Sequence, residues 1–124
     1  MPKYWVVGAM LGGEKERDQL DLFFRRGYWL LGYADKDQPD QAKRRDQIEP
    51  GDRIAVKKML GRGSHNIEIR AIGIVKEIDS HDKRVYVDWI LRDVERIVPA
   101  KGAFKAIHGP FDPKDAWTNE VFRI

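Results

Sequence analysis

The chain has 124 residues, 42% of them apolar, and carries 23 Lys and Arg against 20 Asp and Glu for a net charge of +3. That is enough to close one core and too little for two ordinary domains, so a single domain over residues 1–124 is expected. The absence of cysteine excludes disulfides, thiol catalysis and thiolate metal sites and fits a cytoplasmic location; no apolar run approaches the roughly 18 residues of a membrane span, so no membrane partner is expected.

Met1-Pro2-Lys3 leads straight into a strand-like segment, Lys3 to Val7, without the apolar core and small-residue cleavage site of a signal peptide. Gly8 to Gly13 reads as a loop. Glu14 to Arg26 reads as a helix, with acids in its first turn, Leu20, Phe23 and Phe24 on a buried side, Arg25-Arg26 in its last turn and Gly27 as its stop. Tyr28 to Tyr33 is a short aromatic segment, and Asp37-Gln38-Pro39-Asp40 opens a short polar helix through Gln47.

Glu49-Pro50-Gly51-Asp52 is a turn that launches a strand, with Ile54 and Val56 on one face and Lys58 extending it. Asn66 to Ile78 alternates as a strand does, but its middle, Ala71 to Val75, is apolar on both faces. This predicts a central strand covered on both sides, with Gly73 at a bulge or a close backbone contact. Asp79 to Lys83 is a hairpin loop. The return strand, Arg84 to Leu91, places Val85, Val87 and Trp89 on one face and Tyr86, Asp88 and Ile90 on the other, completing an antiparallel meander. Pro99 to Phe111 reads as irregular, and Asp112-Pro113 begins a last helical turn or two carrying Trp117, Val121 and Phe122. With no internal repeat or low-complexity linker, the expected class is α+β, a small mixed β-barrel with flanking helices.

Five segments, Tyr4-Trp5-Val6-Val7, Gly27-Tyr28-Trp29, Gly51-Asp52-Arg53-Ile54, Ala71-Ile72-Gly73-Ile74-Val75 and Val87-Asp88-Trp89-Ile90, fall in the order seen in the PUA-like superfamily. Within it the chain resembles EVE and YTH domains and the N-terminal specificity domains of some modified-base-dependent restriction systems. The resemblance spans residues 3 to 111 and rests on the ordered set. It implies a compact PUA-like barrel whose aromatic cage takes in a flipped, usually methylated, base of DNA or RNA. It also implies a nuclease or ATPase as partner or fused domain, and a targeting role in defence or restriction.

A flipped base recovers its lost stacking from aromatic side chains, at about 1–3 kcal/mol per base, and is read along its edge by hydrogen bonds. A tryptophan in a domain of this size packs in the core as readily as it lines a pocket; for Trp29 the resemblance implies a pocket wall, although Leu30-Leu31-Gly32-Tyr33 replaces the polar stretch that follows this Trp in EVE domains. Ala9 and Met10, just past the first strand, Tyr33, and His108 in the turn His108-Gly109-Pro110-Phe111 complete the candidate base-binding set. Trp5 and Trp89 alternate with valines and read as core. Lys57-Lys58, followed by the loop that holds Arg62 and Ser64, supplies candidate phosphate contacts, which Lys43-Arg44-Arg45, Lys101 and Lys105 extend.

Enzyme signatures are missing. Gly8 to Lys15 brushes against a phosphate-binding loop, yet Glu14 stands where that motif requires Lys. His65, His81 and His108 are scattered through loops without metal-ligand spacing, so no metal or other cofactor is expected. Ser64 and Ser80, the only serines, lie in no nucleophile elbow, and Asp35 and Asp88 form no carboxylate pair with an evident role. The expected function is therefore a binding module rather than an enzyme. The alternative is a PUA-like pocket for a small nucleoside-like ligand or a protein partner, without nucleic-acid binding.

Overall fold

The computed structural model describes residues 2–11, 17–31, 35–61 and 63–123. The predicted meander is present: β5 (Arg53–Met59), β6 (Asn66–Asp79) and β7 (Arg84–Leu91) pair antiparallel in sequence order. Gly73 combines both expectations for it. The register shifts at Ile72/Gly73, and a Cβ on Gly73 would stand 2.3 Å from Val87 Cγ1 and 2.9 Å from the Asp88 carbonyl. Only a residue without a side chain lets the two strands approach this closely.

The meander is extended on both sides. β1 (Tyr4–Gly8) lies parallel to β5, and β9 (Ile107–Phe111) lies antiparallel to β1. At the other edge β4 (Tyr28–Leu30) pairs with β7, giving the order β4-β7-β6-β5-β1-β9. β8 (Arg96–Pro99) pairs with Asn66 to Ile69, and β7 takes over the same edge of β6 from Ile72 onward. At the changeover β6 holds one residue, Arg70, with no β5 partner, and its carbonyl accepts from Val94 N at 3.0 Å. The sheet curls into a half-barrel carrying three described helices, an α+β, barrel-like architecture.

Apolar side chains fill both faces. On one, Trp5, Val7, Ile54, Val56, Ala71 and Val75 meet Leu20 and Phe23 of α1 (Leu20–Arg26) and Ala42 of α2 (Pro39–Arg45). On the other, Val6, Ala55, Ile67, Ile69 and Ile72 meet Trp117, Val121 and Phe122 of α3 (Ala116–Phe122). This is the double cover that the apolar middle of β6 predicted. All four tryptophans are buried, and each indole N–H donates. The acceptors are Asp52 Oδ2 for Trp5 at 3.0 Å, the Gly8 carbonyl for Trp29 at 2.8 Å, the Phe23 carbonyl for Trp89 at 3.0 Å and the Pro99 carbonyl for Trp117 at 2.6 Å. A buried indole without a partner would cost about 1–3 kcal/mol.

Three sequence expectations are corrected. Among the described residues helix α1 starts at Leu20, not Glu14, because Arg17–Asp18 is taken into a two-residue strand, β3, paired with β2 (Met10–Leu11) inside the expected loop. It ends as expected, at Gly27 with φ of 70°. The segment from Pro99 to Phe111 is not irregular throughout. Ile107–Phe111 is strand β9, pinned to α2 by Gln41 Oε1, which accepts from Ile107 N at 2.9 Å. Lys57, expected with Lys58 among the phosphate contacts, is buried, and only Lys58 is exposed.

Candidate nucleic-acid interface

Acidic residues are spread unevenly along the chain. Lys3 to Gly13, Arg53 to Ile67 and Arg96 to Phe111 contain no Asp or Glu. These are the segments that build β1, β5, β8 and β9, and the sheet brings β1, β5 and β9 side by side. Because β1 and β5 are parallel and β9 is antiparallel to them, Gly8, Lys57 and Ile107 lie at one end of the sheet. The loops that follow β5 and precede β9 also meet there, where Ala100 N donates to the His65 carbonyl at 2.8 Å. Three stretches far apart in sequence thus form one end of the molecule with Lys57, Lys58, Lys101 and Lys105 and no acidic residue of their own.

Gly8 is the junction at this end. Its N–H donates to the Ala106 carbonyl at 2.9 Å, its carbonyl accepts from the Trp29 indole, and its missing side chain leaves space in which a Cβ would stand 3.9 Å from Lys57 Nζ. Lys57 is 5% exposed. Its ammonium meets Met59 Sδ at 3.6 Å, and among the described residues no carboxylate pairs with it. Burial drives its pKa down to about 8.

His108 accepts from Lys105 N at Nε2, at 2.8 Å, so the neutral ring carries its proton on Nδ1. Burial first, then the positive charges of Lys57, Arg44 and Lys105, lowers its pKa to about 4. The histidine is neutral at pH 7 because it is half buried and stands among cations. Arg44 donates to the Gly109 carbonyl at 2.7 Å.

The other candidates are placed as follows. Trp29 is 0% exposed, so neither face of its ring is open to a base in this conformation. Ala9 is buried and its carbonyl accepts from Gln19 N at 2.9 Å, while the Met10 backbone pairs with Asp18. The Ser64 hydroxyl closes its own loop on Asn66, at 3.2 Å to both backbone N and O. Tyr33 and Arg62 lie outside the described residues. The set divides across the sheet. Trp29 and Ala9 pack with the α1 side, whereas Lys57 lies two residues from Ala55 on β5 and His108 registers with Val6, and Ala55 and Val6 face the α3 side.

Phe104, which the sequence reading passed over, is 51% exposed between Lys101 and Lys105. The available signal was an aromatic residue interleaved with lysines in a glycine-containing turn. The pairing of Arg45 with Asp35 was also not foreseen, although both residues were named. Asp35 Oδ1 and Oδ2 accept from Arg45 Nη1 and Nη2 at 2.8 and 2.9 Å, and Lys83 joins the same carboxylate. The hydrogen bonds from Arg45, then Lys83, hold the Asp35 carboxyl far below the usual carboxylate range. These side chains border a cavity of about 300 Å³ that Ile78, Ser80 and Arg84 also line.

Among the described residues no cluster of three or more His, Asp or Glu side chains is placed to hold a metal ion, and no helix is long and apolar enough to cross a membrane. Comparison of the chain with protein-family models, with curated proteins and with solved structures finds no match.

Proposed function

We propose that this chain is a nucleic-acid-binding module, not an enzyme, that holds the sugar-phosphate backbone at its acid-free end. The observation that supports this most is the convergence of three acid-free segments on Lys57, Lys58, Lys101 and Lys105, with Arg44 and the exposed Phe104 beside them. Cations that form no ion pair among the described residues are free to displace counterions from phosphates, and an exposed ring among them gives a base a stacking platform.

The finer proposal is a reader of a flipped, modified base in a PUA-like, EVE- or YTH-like domain that targets a restriction or defence assembly. It rests on the resemblance of the ordered segments and on the position of Trp29, tied through Gly8 to the cationic end. With the Trp29 ring enclosed, a base reaches it only when the groups over it move aside. The second reading, a pocket for a nucleoside-like metabolite, draws on the 300 Å³ cavity at Asp35 and Arg45, which stands at the lower limit of small-molecule sites.

Fluorescence anisotropy on matched oligonucleotides, unmodified and carrying 5-methylcytosine, 5-hydroxymethylcytosine or 6-methyladenine, tests both. For the backbone contact, affinity is expected to fall with salt, and Lys58→Ala or Lys105→Ala to reduce the logarithmic salt slope by about 0.7–0.9 each. For base reading, Trp29→Phe is the informative change. It keeps a ring but removes the N–H bonded to Gly8, whereas Trp29→Ala would cost about 3–5 kcal/mol of core stability and confuse unfolding with lost recognition. Absence of binding to every oligonucleotide at low salt would overturn the nucleic-acid reading and direct the search to the Asp35 cavity.

A further inference from the structure

We propose that Lys57, beneath the vacant side-chain position of Gly8, forms a recessed subsite that takes one phosphate group, separate from the exposed lysines that contact the backbone in general. The inference deepens the nucleic-acid reading and rests on it for the source of the phosphate. An ammonium has three N–H donors and seeks oxygen acceptors, yet this one meets Met59 Sδ, a weak acceptor, at 3.6 Å. Surface lysines keep the charged head in water, whereas here the whole residue is 5% exposed and the head lies inside. A buried charge without a counter-ion opposes folding, and such costs concentrate where a ligand completes the arrangement.

The surroundings suit an anion. Lys105, Arg44 and His108 contribute either positive charge or a neutral ring, and the carboxylate that β6 brings nearby, Glu68 opposite Lys58, meets Arg70 at 3.4 Å. Met59 is 39% exposed, and its flexible thioether can swing away to leave its place to a phosphate oxygen. Gly8 matters because a methyl group there would sit over the ammonium at 3.9 Å, an ordinary contact that fills the space without forcing the strand apart.

Occupation of the subsite also takes up a proton in the alkaline range. Burial leaves the free amine half neutral near pH 8, and a phosphate favours the ammonium. A phosphodiester does not itself titrate there, and His108 stays neutral across that window. Oligonucleotide affinity should therefore fall from about pH 8 upward, sooner than contacts to ordinary lysines, whose pKa is about 10.4, would allow.

The test uses the full chain and the variants Lys57→Met, Gly8→Ala and Lys83→Met, the last at a lysine paired with Asp35. The first readout is melting temperature in sodium phosphate against sodium chloride of equal ionic strength at pH 7.5; the second is oligonucleotide affinity from pH 7 to 10. Phosphate should raise the melting temperature of the wild type and of Lys83→Met but not that of Lys57→Met or Gly8→Ala. The latter two should bind oligonucleotide roughly tenfold to a hundredfold more weakly at pH 7.5, with the fall above pH 8 abolished. An equal response to phosphate in the wild type and Gly8→Ala, or no response in the wild type, overturns the subsite even if Lys57→Met fails to fold. The two proposals fail separately. Oligonucleotide binding without a phosphate response leaves the module standing and removes the subsite, whereas a Lys57-dependent phosphate response without oligonucleotide binding removes the module and leaves an anion site.

Discussion

Two basic regions of this molecule are built from the same residue types and treat their charges in opposite ways. At the corner where α2 meets the β6–β7 hairpin, Arg45 and Lys83 share the carboxylate of Asp35, and Arg45 also reaches Asp46 at 2.9 Å. At the acid-free end, Lys57 is as deeply buried as Arg45 yet has no carboxylate partner among the described residues. The first arrangement answers its own charge and is a structural clamp between the segment before α2 and the hairpin. The second leaves its charge for something else to answer. Counting cations in the sequence cannot separate the two; only the partners can.

The widest contrast is the sign of a stability change. Lys57→Met replaces a buried ammonium by an apolar chain of similar length, and a pKa lowered from 10.5 to about 8 corresponds to a folding penalty of up to about 3 kcal/mol on the charged form. Because the folded state prefers the neutral amine, that penalty is complete below pH 8 and disappears as pH rises from 8 to 10.5. Lys57→Met should therefore be more stable than the wild type at pH 7, with the advantage gone near pH 10.5, in urea titrations at both pH values. A less stable Lys57→Met at pH 7 would show that an internal carboxylate already neutralises Lys57, and the contrast would collapse.

At the paired corner the sign reverses. Asp35→Asn leaves the buried Arg45 guanidinium with Asp46 alone and should destabilise the fold, by less than the loss of a fully buried pair would because Asp35 is open to water. The same denaturation measurement checks it, and oligonucleotide affinity should stay within twofold of wild type.

Smaller again is the acid response of His108. Its folded pKa, about 4, lies below the unfolded value of about 6.5, so folding favours the neutral ring. Stability is unaffected above pH 6.5 and falls as pH drops from 6.5 to 4, by about 1 kcal/mol for a half-buried ring. His108→Gln, which keeps an acceptor for Lys105 N, should flatten that part of the stability–pH curve.

The fold was more legible than the site, for a physical reason. The β5–β6–β7 meander joins neighbours in sequence through short turns, so alternation and the Gly51 and Asp79 turns were sufficient to read it. β9 was hidden because Gly109 and Pro110 interrupt its alternation and its partner, β1, lies a hundred residues away. The helix start was misplaced because Glu14 and Glu16 imitate an acidic first turn. Lys57 read as a phosphate contact like its neighbour Lys58, and its burial was hidden because it depends on parallel pairing with Gly8 and on the slip opposite Arg70, neither of which is written locally. Arg44 and Arg45 were read as one cluster, whereas one turns to Gly109 and the other to Asp35.

The smallest effect separates charge from placement. Lys83 is half exposed and Lys58 wholly at the surface, so replacing either by Ala should change stability by no more than about 0.5 kcal/mol, the usual scale for exposed charges. Their effects on binding should differ nonetheless. Lys83 already spends its charge on Asp35, so Lys83→Ala should leave both the oligonucleotide affinity and its salt slope unchanged. Lys58 stands opposite Glu68, which pairs with Arg70 at 3.4 Å, so Lys58 keeps its charge for phosphate and Lys58→Ala should reduce the slope by about one phosphate contact. Equal slopes for the two variants would mean that binding follows net charge alone. A difference would mean that the sheet, by gathering three acid-free segments at one end, decides which cations nucleic acid meets.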